Sequence, residues 1–176
     1  IYRCGMFWIN QARKNLPDAI GGISWIGLDR PASNCLMPFF VGVKDLPTPM
    51  QTMKLTKFER RSAWWAFNYV ANYINLKYSY MIGDVTELQQ KLENDAYEAV
   101  YNLKHTKDDI DEFCSKNMNK VLNAWWRLSE QLIVKYNNGC ITTEKAIMQK
   151  IDYPDWWLRD GGYYNGPISY EKKNHS

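Results

Sequence analysis

The 176-residue chain has few of the residues that build metal sites and disulfide frameworks. It contains 2 histidines and 4 cysteines, and the cysteines are far apart, in none of the CxxC or Cys/His spacings typical of zinc sites. No structural metal site is therefore expected. An even number of cysteines permits disulfides, but a core of this size does not need them. We expect buried free thiols rather than disulfides at Cys4, Cys35, Cys114 and Cys140.

The small net charge and the absence of long hydrophobic runs exclude two further classes of protein. The formal net charge is only +3, with both signs spread along the chain, whereas nucleic-acid binders show clustered Lys and Arg. No run approaches the roughly 18 apolar residues that a membrane helix needs. We expect a soluble protein that binds neither nucleic acid nor membrane, and the sequence leaves its compartment undecided between cytoplasm and export.

The short motifs of common active sites are also absent. GxSxG, HExxH, GxxxxGK[ST] and GxGxxG do not occur, and His105 and His175 have no recognisable partners. These absences predict no cofactor and no catalytic constellation complete within the chain. The chain does contain 45% hydrophobic residues, including 8 Trp, which is enough for one packed domain.

Residues 1–46 have the alternation and punctuation of short strands. Segments 5–13, 23–28 and 35–43 predict three strands joined by short loops, and hence an antiparallel sheet. The first segment carries large apolar groups on both faces, which predicts a central position for it. Pro38 has no backbone donor and predicts an edge position or a bulge in the third strand.

Residues 60–164 are predicted to be mainly helical. Apolar residues at helical spacing predict one helix from a Ser62 cap to Tyr78 and a second over 85–103, separated by Gly83 and Asp84. A third long helix is predicted to begin near Thr106 and to end before Gly139.

Two shorter segments follow the long helices. The sequence predicts a helix over 142–151 and a single helical turn followed by a loop over 152–164. Residues 165–176 are polar without a period and are predicted to form a mobile tail.

Arg13 and Gln11 are the most informative polar residues of the first strand. They share a face with Phe7 and Ile9, where a guanidinium needs an acceptor. Two uses compete for Arg13: a structural ion pair, for which Asp18 is available, and a contact with an active-site group or a substrate carboxylate. The residues alone favour the structural use, and Gln11 has the same two interpretations.

Four segments, taken in order, resemble the second half of the dipeptidase A family, the secernin-related cysteine dipeptidases of the N-terminal-nucleophile hydrolase superfamily. The first two are fairly specific, and together the four extend over most of the chain. They are QARKNLPDAIGGISW (11–25), PASNCLMPFFVG (31–42), SAWWAF (62–67) and KYNNG (135–139).

The resemblance implies an α+β fold, with a short antiparallel N-terminal sheet packed against three long helices as part of an αββα sandwich. It also implies hydrolysis of dipeptides by a cysteine at the mature N-terminus, whose own α-amino group acts as the base. Residues 1–164 would then be the C-terminal portion of a peptidase domain. Because the chain begins at Ile1 with residues that already resemble a strand, we expect it to be a processed product or a piece of something longer.

The family's nucleophile precedes the segments that carry the resemblance. Cys4 lies ahead of these segments, on a strand, and without the small residues that follow the nucleophile in the family. We therefore expect the nucleophilic cysteine to be missing from this chain, and the chain alone to be inactive. The expected partners are a dipeptide substrate and the missing N-terminal portion of the same protein.

The resemblance also gives the polar residues of the strands a role. Arg13 and Gln11 become candidates for lining or supporting the site, Arg13 through a bidentate contact with a carboxylate or with groups around the nucleophile. Asn10 and Asn34 are further candidates for polar contacts. For Arg13→Ala, a site role predicts a larger loss of activity than of stability.

Two alternatives stay open. One is a non-catalytic helical interaction module that retains the strand motif; an in-frame coding segment upstream of Ile1 that encodes an N-terminal or autoprocessed cysteine would favour the enzyme over it. The other is a stacking surface for sugars, although Trp at helical spacing is more often part of a core. Its candidate residues are the pairs Trp64–Trp65, Trp125–Trp126 and Trp156–Trp157.

Overall fold

A computed structural model describes residues 4–103 and 107–165, with the backbone alone for 107–109. Its contacts divide the chain into two units, Ile1–Ile133 and Val134–Ser176. The described part of the first unit combines a three-stranded sheet with helices, so the predicted α+β class is confirmed. Of the predicted tail, residues 166–176 lie outside the described residues, and Asn165 ends a short 3-10 turn.

The three predicted strands form one antiparallel sheet. They are β1 (Met6–Ala12), β2 (Gly22–Leu28) and β3 (Met37–Phe40), in the order β1-β2-β3. In the register of the sheet Ile9 lies opposite Trp25, which in turn lies opposite Pro38. The sheet of three short-linked strands is therefore as the sequence predicts.

Within the described sheet the predicted central position of β1 is wrong, because β2 is the middle strand and β1 lies at an edge. The large apolar side chains of β1 indicated burial on both faces, yet Trp8 and Ile9 are 56% and 57% exposed. The β1–β2 ladder has a backbone hydrogen bond beyond each end. The Asp29 N–H donates to the Gly5 carbonyl, and the Arg13 N–H donates to the Gly21 carbonyl. By alternation, the backbone groups of the even-numbered residues point away from β2, and no described strand pairs with them.

Pro38 lies on the other edge of the described sheet, as predicted. The Val41 N–H donates to the Gly22 carbonyl at 3.0 Å. Counting back from Val41, every second residue of β3 has its backbone groups directed at β2. Pro38, opposite Trp25, falls on a position whose nitrogen points away from β2. Its missing N–H therefore removes no bond of the β2–β3 ladder.

The two faces of the sheet differ in what covers them. On the helix face, the Trp25 and Tyr97 rings lie 6.3 Å apart, and the Phe40 and Phe113 rings lie 5.8 Å apart. β1 contributes its odd-numbered side chains, with Arg13, to this face. Its even-numbered side chains form what we call the open face of β1, and all four are exposed: Met6, Trp8, Asn10 and Ala12.

Five helices are described in the first unit, and three of them are long. The short ones are α1 (Asp18–Gly21) and α2 (Thr48–Gln51). The long ones are α3 (Ala63–Ile74), α4 (Tyr78–Asn102) and α5 (Lys107–Lys135), as the sequence predicts in number. No described helix has both the length and the apolar character needed to cross a membrane.

The predicted break between the first two long helices is in the wrong place. The chain leaves the helix at residues 75–77, and α4 runs through Gly83. No atom outside the local backbone lies within 4 Å of a Cβ built on Gly83, and a glycine in an exposed helix position costs only about 1 kcal/mol. The buried side chains of Met81 and Val85 lie on either side of it, and their packing holds the helix together.

The core of the first unit includes the predicted helical stripes. Phe67 of α3 packs on Trp125 of α5 with ring centroids 5.0 Å apart, and both are fully buried. Lys120 and Asp95 join α5 to α4 through an ion pair of 2.7 Å. For the Trp125–Trp126 pair, the interpretation as core is confirmed.

The second unit contains a hairpin where the sequence predicts a helix, so that prediction is wrong. Strands β4 (Cys140–Thr142) and β5 (Met148–Lys150) pair antiparallel. Between them Ala146 has a φ of 55°, which a helix does not accommodate. The predicted helical turn is present as α6 (Asp155–Asp160).

Candidate functional site

The four predicted site residues lie at different ends and on different faces of the sheet. Arg13 lies beside Gly21, just before the start of β2, whereas Asn34 contacts Leu28 at the end of β2. A seven-residue strand at about 3.3 Å per residue separates these ends by roughly 20 Å. Arg13 and Asn34 therefore do not share one site within this sheet.

Arg13 supports the turn between β1 and β2. Its guanidinium Nη2 donates to the Ile20 carbonyl in α1, and its Cζ lies 5.4 Å from the centroid of the Phe40 ring. Burial lowers the pKa of Arg13 from its ordinary value. Among the described residues Arg13 pairs with no carboxylate, Asp18 included, and its Nε is buried without an acceptor. The acceptor that the sequence required is therefore a backbone carbonyl.

Gln11 supports a tryptophan on the helix face. The Trp25 Nε1 donates to the Gln11 Oε1 at 3.1 Å across the β1–β2 pair. The indole is nearly parallel to the Tyr97 ring, with an interplanar angle of 25°. Gln11 thus connects the edge strand with the stacked pair between sheet and α4.

Asn34 is buried and supports the loop between β2 and β3. It is 1% exposed, and its Oδ1 accepts hydrogen bonds from the Leu28 N–H at 3.2 Å and from the Cys35 N–H at 2.7 Å. Its Nδ2 has no acceptor among the described residues. Asn10 is the opposite case, since its side chain is exposed on the open face of β1. Of the four residues, Asn10 alone is exposed.

The four cysteines are free thiols. Cys35 and Cys114 are buried as expected, whereas Cys4 and Cys140 are partly exposed, so the expected burial is wrong for these two. Burial, followed by the charge of Glu93, raises the pKa of the Cys35 thiol far above its usual range. Burial raises the pKa of Cys114 to about 11. Both side chains are therefore neutral thiols at neutral pH, and neither is a nucleophile. Cys4 is partly exposed, and its Sγ donates to the Met6 carbonyl at 3.2 Å.

Asp29 is a buried carboxylate that sequence reasoning missed. It is 5% exposed with a φ of 65°, and its Oδ1 accepts a hydrogen bond from the Asn68 Nδ2 of α3 at 3.3 Å. Burial raises the pKa of Asp29, against the opposing effects of Asn68 and Arg30. Its Oδ2 is buried without a described donor. In the sequence, an acidic residue next to Arg30 and Pro31 is typical of an exposed loop. The packing of α3 is what buries Asp29.

Within the described residues, no three His, Cys, Asp or Glu side chains come together as metal ligands. The polar side chains in and around the sheet thus lie in three places. Arg13 is at the β1–β2 turn, Asp29 and Asn34 are in the β2–β3 loop, and Asn10 is on the open face of β1. The Arg13, Asp29 and Asn34 groups hold backbone or other side chains. The open face of β1 is where a described polar side chain is free to contact other groups.

Comparison with known families places these residues in one of them. The family model described as Peptidase family C69 matches residues 1–91. The match includes the whole β1–β3 sheet, α3 and the first part of α4, and with them all four predicted site residues. No curated protein is significantly similar to the chain.

Proposed function

Because the chain belongs to peptidase family C69, of dipeptidase A-like cysteine peptidases, we propose that it is the C-terminal portion of an enzyme that hydrolyses dipeptides. In this proposal the β1–β3 sheet is one layer of a sandwich. A second sheet, from polypeptide outside residues 1–176, packs on the open face and supplies the nucleophilic cysteine.

The exposure of the apolar side chains of β1 is the observation that supports this proposal most strongly. Trp8 and Met6 are 56% and 49% exposed on the open face, although β1 lies within the part of the chain that matches the family. Full burial of a large apolar side chain is worth about 1.5–3 kcal/mol, so a covering layer would stabilise this strand. The same strand has backbone donors and acceptors directed away from β2, which a further strand would satisfy.

The placement of the thiols also favours a nucleophile from outside this chain. Cys35 and Cys114 are buried neutral thiols, and Cys140 lies beyond the range that matches the family. Cys4 lies just before β1 rather than on a strand, and its Sγ donates to the Met6 carbonyl. A thiol becomes a good nucleophile when a nearby base or positive charge favours the thiolate, and no described contact gives any of these cysteines such a partner.

The candidate residues then have different parts in the reaction. Asn10 projects from the open face and is proposed to contact the substrate or the groups around the nucleophile. Gln11 and Arg13 are proposed as positioning residues, since their hydrogen bonds hold the edge strand and its turn from the helix face. Asn34 is proposed to support the loop that precedes β3.

The proposal is tested by incubating the intact protein with a panel of dipeptides, with and without a thiol-blocking reagent. We expect cleavage that the reagent abolishes, and a reagent-labelled peptide, identified by mass spectrometry, that lies outside residues 1–176. The matched variant Cys4→Ala should retain full activity. Absence of thiol-sensitive cleavage would remove the enzymatic claim, and loss of activity in Cys4→Ala would place the nucleophile within this chain.

A further inference from the structure

A groove on the helix face, between the sheet and α4, combines apolar, aromatic and acidic walls. Its volume of about 340 Å³ is at the lower end of the range for small-molecule sites, so it fits a compact ligand. The side chains that line it are Ile9, Trp25, Leu36, Glu93, Asn94 and Tyr97.

Glu93 supplies the charge of this groove. Its Oε1 accepts hydrogen bonds from the Leu36 N–H at 2.8 Å and from the Gln89 Nε2 at 3.3 Å. These bonds orient the carboxylate, and no Lys or Arg in the described part of the chain forms an ion pair with it. Glu93 is partly exposed and lines the groove, so its carboxylate is within reach of a ligand there.

The aromatic wall favours a cation as well. The rings of Trp25 and Tyr97 are nearly parallel, with centroids 6.3 Å apart, and Tyr97 is 59% exposed. The bond from the indole to Gln11 holds Trp25 in place. A cation within about 6 Å of such a ring is attracted to its face.

We propose that this groove binds a small organic ammonium ion that carries an apolar group. The ammonium group pairs with Glu93 and contacts the Trp25–Tyr97 rings, and the apolar group contacts Ile9 and Leu36. An anion would be repelled by Glu93, and a neutral ligand would leave its oriented carboxylate unpaired. The site lies on the helix face, and the proposed dipeptide chemistry lies on the open face, so the two proposals stand or fall separately.

The test is a titration of the intact protein with isopentylammonium chloride, followed by NMR. The signal to follow is the indole N–H of Trp25, which is identified by its loss in Trp25→Phe. The neutral control ligand is 3-methylbutan-1-ol, which has the same carbon skeleton without the positive charge. We expect saturable shifts with the ammonium ion and affinity about tenfold weaker for the alcohol, because it lacks the charged hydrogen bond.

Two variants separate the ligand site from general effects on folding. Glu93→Gln should weaken ammonium binding about tenfold, whereas Glu98→Gln, the same charge change at an exposed position on α4, should leave it unchanged. Tyr97→Leu changes an exposed side chain and should weaken binding about threefold without unfolding the protein. Equal affinity for the alcohol and the ammonium ion, an unchanged affinity in Glu93→Gln and Tyr97→Leu, or no saturable shift at all would overturn the proposal.

Discussion

The indole Nε1 of Trp25 donates a hydrogen bond to the Oε1 of Gln11 at 3.1 Å, from the central strand to the edge strand. The two residues are 14 positions apart in the chain, and the bond lies on the helix face beside Tyr97. This hydrogen bond helps to hold β1 in the sheet although the large side chains of Trp8 and Ile9 are exposed.

Replacing Gln11 should therefore weaken the sheet. Gln11→Met keeps the shape of the side chain but removes the acceptor, and we expect it to lower the free energy of unfolding by about 1 kcal/mol. Gln11→Glu retains an acceptor for the indole and should cost less. Urea denaturation of the two variants measures the difference, and equal losses would show that the Trp25 bond contributes nothing to stability.

Arg13→Ala should lower stability as well as activity. The loss of the bond to the Ile20 carbonyl and of the contact with Phe40 should reduce the free energy of unfolding by about 1–2 kcal/mol. Lys14→Ala changes an exposed neighbouring cation and serves as the control.

The site role predicted for Arg13 from the sequence requires a further loss. It is measured as kcat/KM at a temperature at which the variant is fully folded, and converted to a free energy it should exceed the loss of stability. A folded Arg13→Ala enzyme with full activity would restrict Arg13 to support of the β1–β2 turn.

Asn10→Ala should lower activity with little effect on stability. Its side chain is exposed on the open face within this chain, so the substitution removes little packing among the described residues, and the free energy of unfolding should fall by less than the activity does. If Asn10 contacts the substrate, kcat/KM for dipeptides should fall about tenfold or more, since a lost polar contact of this kind is worth about 1–3 kcal/mol. Asn119→Ala, at an exposed position of α5, is the matched control and should leave kcat/KM unchanged. Full activity of Asn10→Ala would remove it from the site.

Asp29 should make stability fall as the pH rises. Burial raises its pKa in the folded protein above the ordinary value of 3.8, so the folded state holds this proton more tightly than the unfolded state. The stabilising effect of the proton is complete below the unfolded pKa and is lost as the pH rises through the folded pKa.

Asp29→Asn should remove this dependence and raise stability at neutral pH relative to the wild-type protein. Asparagine tolerates the φ of 65° at this position and can still accept the hydrogen bond from Asn68. Thermal denaturation of both proteins between pH 3 and pH 7 measures the effect. A Tm difference between them that does not change with pH would contradict it.

Some features of the fold are local, and for that reason the sequence predicts them. Alternation around Trp25, turn residues at Pro17 and the missing donor of Pro38 are properties of short segments, and the strands and the edge position follow from them. The α3–α4 boundary and the β4–β5 hairpin depend on competition between local preferences and packing. Gly83 continues a helix because its neighbours are buried, and Ala146 turns the chain because the flanking strands pair.

By itself the sequence determined the family, the presence of three antiparallel strands and the presence of three long helices, because motifs and hydrophobic periods are properties of neighbouring residues. Only the tertiary structure decided which groups each polar residue contacts. Arg13 meets a carbonyl rather than Asp18, Asp29 is buried by a helix that begins more than thirty residues later, and Asn10 remains exposed on an edge strand. These outcomes depend on contacts between segments that are distant in sequence, which no local pattern records.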